Sequence, residues 1–177
     1  FRGITYRGGK MGSAMRSGGG FVTNSFYSTS LLPSVAMHFY DLCKEKEEDK
    51  AIFRFRLEGK GAINITGVSM YGEEEMEVLV PKGSKFQVLG APQPAYYNKI
   101  TGEVFEEAKL SEEKLESVMD ELEYGEDGFW QKVQVVDLQE ISGPGEERRK
   151  RSEAKDRKGL QELIRLKELW EGAGHTA

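Results

Sequence analysis

Several things are scarce in this 177-residue chain, and each scarcity removes a class of function. A single cysteine, Cys43, excludes an intrachain disulfide and suits a reducing compartment. Cys43 and His38 stand five residues apart on one helical stretch and do not face each other, which removes the obvious nucleophile pair. No apolar run reaches about eighteen residues, the length a membrane-spanning helix needs, and no secretory leader is visible. Positive charge is in deficit: the net charge of −5 argues against the chain as a whole binding nucleic acid. The glycines at 18–20 lack a following Lys-Ser/Thr and so form no phosphate loop. The acidic run at 73–77 lacks the spaced oxygen ligands and turn glycine of a calcium loop, so no metal is expected.

What is present suffices for one domain with a real core and a heavily solvated surface: 38% of residues are apolar and 31% charged. The pattern predicts a strand at 4–7, a glycine-rich loop at 8–20 and an extended stretch at 21–28. Pro33 opens a helix with Val35, Ala36, Phe39 and Leu42 at helical spacing. Strict alternation marks a half-buried strand at 51–57, with Phe53, Phe55 and Leu57 opposed to Arg54 and Arg56. A strand at 62–65, a loop at 67–74, and strands at 75–80 and 85–89 joined by a turn follow. Beyond them come a hairpin at 96–105, a helix at 111–122 and a strand at 131–141. Gly143-Pro144-Gly145 then breaks the pattern before a charged helix at 146–171, with leucines at 160, 163, 166 and 169. Mostly strands with a few helices reads as an α+β fold. The domain is expected at 1–142, with 143–177 as a charged helical extension. Its basic cluster at 148–151 reads first as a solvated helix face. The chain opens on Phe1 beside a strand, as expected of a domain cut or processed from a longer protein.

Three stretches carry polar chemistry. Thr5-Tyr6-Arg7-Gly8-Gly9 sends an arginine from a strand into glycines, which suits a phosphate gripped by a planar guanidinium. Ser28-Thr29-Ser30 lies between a strand and a helix, where hydroxyls also serve as ordinary caps. Glu75-Met76-Glu77-Val78-Leu79-Val80-Pro81 carries two carboxylates into an apolar strand. Residues two apart on a strand share a face, so these acids would sit side by side, a costly arrangement unless something uses it. Singly, each stretch has a bland reading: a strand-end ion pair, a helix cap, a solvated edge.

The ordered set resembles the R-S-E class of mono-ADP-ribosyltransferases over roughly residues 4–90. That class carries an aromatic followed by arginine, then aromatic-x-Ser-Thr-Ser before a helix with alanine and phenylalanine, then Glu-x-Glu-Val-Leu-hydrophobic-Pro. Here these are Tyr6-Arg7, Phe26 through Ser30 with Ala36 and Phe39, and Glu75 through Pro81. The loop before the last motif has Ile65, Ser69 and Tyr71 in the family's register. Arg2-Gly3 and Glu73-x-Glu75 are competing registers. Thr-Tyr-Arg-Gly-Gly and the Val-Leu-Val-Pro after Glu77 favour Arg7 and Glu77.

The resemblance implies two packed, mainly antiparallel sheets with flanking helices, and NAD as substrate without a metal. It implies that Glu77 stabilises an oxocarbenium-like transition state and holds the ribose. Ser28 would position Glu77, with Thr29 and Ser30 completing the shelf, while Arg7 and Gly8 would meet the diphosphate. Glu75 would receive an arginine of a target protein, and Tyr71 would touch that protein. NAD glycohydrolysis is the implied side activity. The implied setting is a bacterial toxin or effector acting in another cell's cytosol, with room for an activator or adjacent domain. The alternative is an inactive relative that binds a partner. The family's helices before the first strand are nearly absent here: either they were cut off or another segment replaces them, for which the helices at 111–122 and 146–171 are the candidates.

Overall fold

Strand pairing, rather than local propensity, decides where the first strand ends. In the computed structural model, which describes residues 1–69, 72–124 and 128–172, β1 (Arg2–Lys10) runs straight through Gly8 and Gly9. It pairs residue for residue with β4 (Lys50–Glu58), from Arg2 opposite Glu58 to Lys10 opposite Lys50. The ladder overrides the weak strand preference of glycine. The rest of the expected loop holds a short helix, α1 (Ser13–Ser17), closed by Gly18 at φ +73°. The stretch expected as one extended segment divides into β2 (Gly20–Val22) and β3 (Tyr27–Ser30), which join different parts of the sheet.

The remaining strands are β5 (Ile63–Asn64), β6 (Glu77–Val80), β7 (Lys85–Val88), β8 (Gln93–Asn98), β9 (Val104–Glu106) and β10 (Trp130–Ser142). They form one path, β2-β7-β10-β4-β1-β3-β6-β5, with the β8–β9 hairpin on the first half of β10. Among the described residues only the β4–β10 pair is parallel. Val78 and Val80 of β6 share a buried cluster with Phe86 and Val88 of β7, although the two strands are far apart along the path. The path therefore curls into two facing layers over Phe53, Phe55 and Leu57, giving an α+β fold with two packed, mainly antiparallel layers.

On the outer face of β4, α2 (Pro33–Leu42) buries Ala36, Met37 and Tyr40 against Ile52, Tyr97, Val133 and Val135. Farther along, α4 (Glu112–Tyr124) sets Val118 against Tyr96 and Trp130. Among the described residues, the last helix, α5 (Pro144–Gly172), is tied down at its start. Gly145 N–H donates to the Lys60 carbonyl at 3.2 Å, and a Cβ on Gly143 would stand 2.1 Å from that same oxygen. Gly-Pro-Gly is thus a tight joint. From 148 to 166 every side chain is exposed, Leu160, Leu163, Ile164 and Leu166 included.

Arg54, on the α2 side of β4, is held by Asp137 through Nε at 2.6 Å and Nη2 at 2.7 Å, and also reaches Glu106. Burial pushes the Asp137 carboxyl up, but the hydrogen bonds and charge of Arg54, with the charge of Arg56, more than offset it and hold the carboxyl below its ordinary range. A depressed carboxyl stabilises the fold above its unfolded pKa of about 3.9 and loses that contribution as pH falls through it toward the folded value. Asp137→Asn is expected to cost about 3 kcal/mol at neutral pH, the low end for a broken buried pair because Glu106 still faces Arg54. Urea denaturation should show the gap between wild type and variant shrinking as pH falls below about 4.

Candidate active site

The pairing of β3 with β6 builds the floor of the site. Ser28 lies opposite Leu79, Thr29 opposite Val78 and Ser30 opposite Glu77. Residues directly opposite share a face, so Ser28, Ser30 and Glu77 project one way while Thr29 and Val78 project into the core. Ser28 Oγ donates to Glu77 Oε1 at 2.5 Å, and Ser69 Oγ donates to Glu77 Oε2 at 3.1 Å. Arg7 Nη1 donates to the Ser28 carbonyl at 2.7 Å, and its guanidinium lies 5.2 Å from the centre of the Tyr27 ring, within cation–π range. Arg7, Ser28, Ser30, Glu75 and Glu77 line one cleft, closed on another side by Tyr6 and by Val35, Ala36 and Phe39 of α2.

Glu75 reaches this cleft by a different route from the one its spacing predicts. Residues 75–80 do not form one strand: α3 (Gly72–Glu75) ends at Glu75, and β6 begins only at Glu77. Between them Met76 has φ +43°, the one non-glycine residue with positive φ among the described residues. A glutamate-rich stretch prefers helix to strand, and one left-handed residue turns the chain between the two. The turn is held by Ser30, whose hydroxyl donates to the Glu75 carbonyl and accepts Leu32 N–H at 2.9 Å. Leu31 N–H adds a bond to the Met76 carbonyl at 3.1 Å. A strained residue between two acids of one cleft stores energy where geometry matters.

Other expected site residues fall out unevenly. Thr29 is also a lining residue of the cleft, but its side chain is buried and its hydroxyl donates to the Val78 carbonyl at 2.7 Å, tying β3 to β6 from beneath. Gly8 serves packing: a Cβ there would stand 2.0 Å from the Ala36 carbonyl oxygen, so its bareness admits the α2 backbone. Arg2, the competing arginine, pairs with Glu58 at the opposite end of β1. Tyr71 lies outside the described residues. Neither α4 nor α5 contributes a lining residue to the cleft among the described residues, contrary to expectation: α4 packs against the β8–β9 side, and α5 starts from the β4–β5 turn at Lys60. The sequence placed Ser69 in register without giving it a task, and it passed over Tyr27, the aromatic partner of Arg7. An aromatic directly before the Ser-Thr-Ser run was the signal for the latter.

The ADP-ribosyltransferase exoenzyme family model matches residues 4–124, more than half the chain and a span that includes Arg7, Ser28, Glu75 and Glu77. The chain belongs to the ADP-ribosyltransferase exoenzyme family. Enzymes of this class use NAD as the donor of ADP-ribose. No curated protein matches the chain. Among solved structures, the Vis toxin, an ADP-ribosyltransferase from Vibrio splendidus, is 17% identical, with 80% of this chain and 49% of that one covered and a TM-score of 0.46. HopU1 of Pseudomonas syringae is 19% identical, with 80% and 46% covered and a TM-score of 0.43. Exoenzyme S from Pseudomonas aeruginosa, solved with human 14-3-3 protein beta and bound to carba-NAD, is 19% identical, with 80% and 49% covered and a TM-score of 0.41. The chain spans about half the length of these structures.

Proposed function

We propose that residues 1–142 form the catalytic domain of a NAD-dependent mono-ADP-ribosyltransferase that modifies arginine on a target protein, with 143–177 as a helical extension. One observation carries this reading: Arg7 and Glu77 are joined through a single residue, Ser28, by bonds of 2.7 and 2.5 Å. A cation for the diphosphate and a carboxylate for the neighbouring ribose thus stand one short residue apart, which fits a dinucleotide laid along β3.

Glu77 accepts the ribose 2′-hydroxyl and faces the positive charge that develops as the bond from nicotinamide to C1′ breaks. Nicotinamide leaves with that electron pair. Glu75 orients the target guanidinium and takes its proton as the new bond from nitrogen to C1′ forms. When water replaces the guanidinium, the same donor step gives NAD glycohydrolysis.

The setting that suits this activity is a bacterial toxin or effector acting in the cytosol of another cell, where the target protein is the partner. Among the described residues no helix is long and apolar enough to cross a membrane.

The two glutamates should separate on mutation. Glu75→Ala is expected to leave NAD hydrolysis within about threefold of wild type while transfer to polyarginine falls by about 100-fold or more. Nicotinamide release and labelling with radioactive NAD, run side by side, make the test. Equal loss of both activities would remove Glu75 from the acceptor side.

A further inference from the structure

Glu77 is gripped from both neighbouring chain segments: by Ser28 of β3 on one side and by Ser69 on the other. The second grip comes from the turn that follows β5. Asn64 pairs with Val78, and Ile65 N–H donates to the Glu77 carbonyl at 3.0 Å. The turn then closes on itself: Thr66 N–H donates to Asn64 Oδ1 at 3.0 Å, Val68 N–H to the Ile65 carbonyl at 2.9 Å, and Ser69 N–H to that carbonyl at 2.8 Å. Having been registered on the backbone of Glu77, the chain returns after four residues to its side chain. There Ser69 Oγ donates to Oε2 at 3.1 Å, the oxygen that Ser28 leaves alone.

From this geometry we infer that Ser69 is a positioning residue for Glu77, and that the 64–69 turn exists to hold its hydroxyl in place. The inference rests on the donor chemistry proposed above. The final torsion of a glutamate side chain is broad and roughly two-fold, so one hydroxyl on one oxygen leaves the plane of the carboxylate free to swing. A second donor, from the opposite side and on the second oxygen, fixes that plane. A carboxylate offers about four lone-pair sites, so Oε2 keeps Ser69 and still accepts a ribose hydroxyl. Orientation matters most when charge has developed on the sugar, so the contribution falls on kcat more than on binding.

The test uses the full chain as wild type, Ser69→Ala and Ser69→Thr, with NAD as the sole substrate. Nicotinamide release gives kcat, calorimetry gives NAD affinity, and thermal unfolding gives Tm. The expected result is a fall in kcat of about 10-fold or more for Ser69→Ala, with NAD Kd within about twofold, Tm unchanged, and Ser69→Thr back within about threefold of wild type. A Ser69→Ala kcat equal to or above that of wild type would overturn the inference while leaving the proposed function standing, since wild type still cleaves NAD. A fall in kcat that tracks a lowered Tm and is not rescued by threonine would also overturn it, reducing Ser69 to a structural role. A wild type that binds NAD without cleaving it would overturn the proposed function, and the inference with it.

Discussion

Replacing Glu77 by alanine is expected to lower the kcat of NAD cleavage by about 1,000-fold, with the fold intact. The carboxylate stands on the first residue of β6, half-exposed at the cleft, with Ser28 and Ser69 each donating to one of its oxygens. Its backbone pairing to β3 and the burial of Val78 behind it do not depend on the side chain. Removing the carboxylate therefore takes away the negative charge that the proposed mechanism aims at the developing cation, without opening the core. Glu77→Gln sharpens the result: it keeps the shape and one acceptor oxygen, exchanges the other acceptor for an NH2 donor and removes the charge, so a similar loss is expected without any loss of side-chain volume. Nicotinamide release and circular dichroism on the same samples provide the check. A Gln variant close to wild type would assign the rate to hydrogen bonding instead.

The largest stability effect is expected at Gly8, where α2 crosses β1. An alanine there would place Cβ 2.0 Å from the Ala36 carbonyl oxygen, 2.6 Å from Tyr40 N and 2.9 Å from Tyr40 Cβ. Two of these three neighbours are helix backbone, so relief requires α2 to lift from β1. Lifting it would loosen the packing of Ala36, Met37 and Tyr40 over Ile52, Tyr97 and Val133. Gly8→Ala should cost about 3 kcal/mol or more, which for a chain of this size lowers Tm by roughly 10 °C. It should also weaken NAD binding, because Val35, Ala36 and Phe39 line the cleft from the same helix. Gly12→Ala is the control: nothing lies within 4 Å of its added Cβ, and little change is expected. Equal Tm values for the two variants would mean that α2 yields without cost.

What the sequence revealed and what it hid divide along physical lines. The alternation of β4 and the proline-led α2 are local patterns, and each appears where it was read; the arginine, the hydroxyl run and the two glutamates line one cleft. Residue pairs fixed by distant strands were not legible. Gly8 and Gly9 look like a loop until β4 lies beside them, and Gly143-Pro144-Gly145 looks like a break until Lys60 meets it. Glu75 is the instructive case. Period-two spacing put it beside Glu77 on a strand, whereas the chain uses a helical turn and a left-handed Met76 to bring it to the same cleft. The spacing pointed to the right neighbours through the wrong local structure, because helix preference in an acidic run outweighs strand preference until Val78 begins to be buried.

The central claim is the transfer of ADP-ribose to a guanidinium. Its most direct test is incubation of the wild-type chain with NAD labelled in the adenylate half, in separate reactions with polyarginine and polylysine, while released nicotinamide is measured in each. The account predicts nicotinamide release in both, with label carried only by polyarginine. Released nicotinamide with no label on polyarginine, or label on polylysine as well, would contradict it.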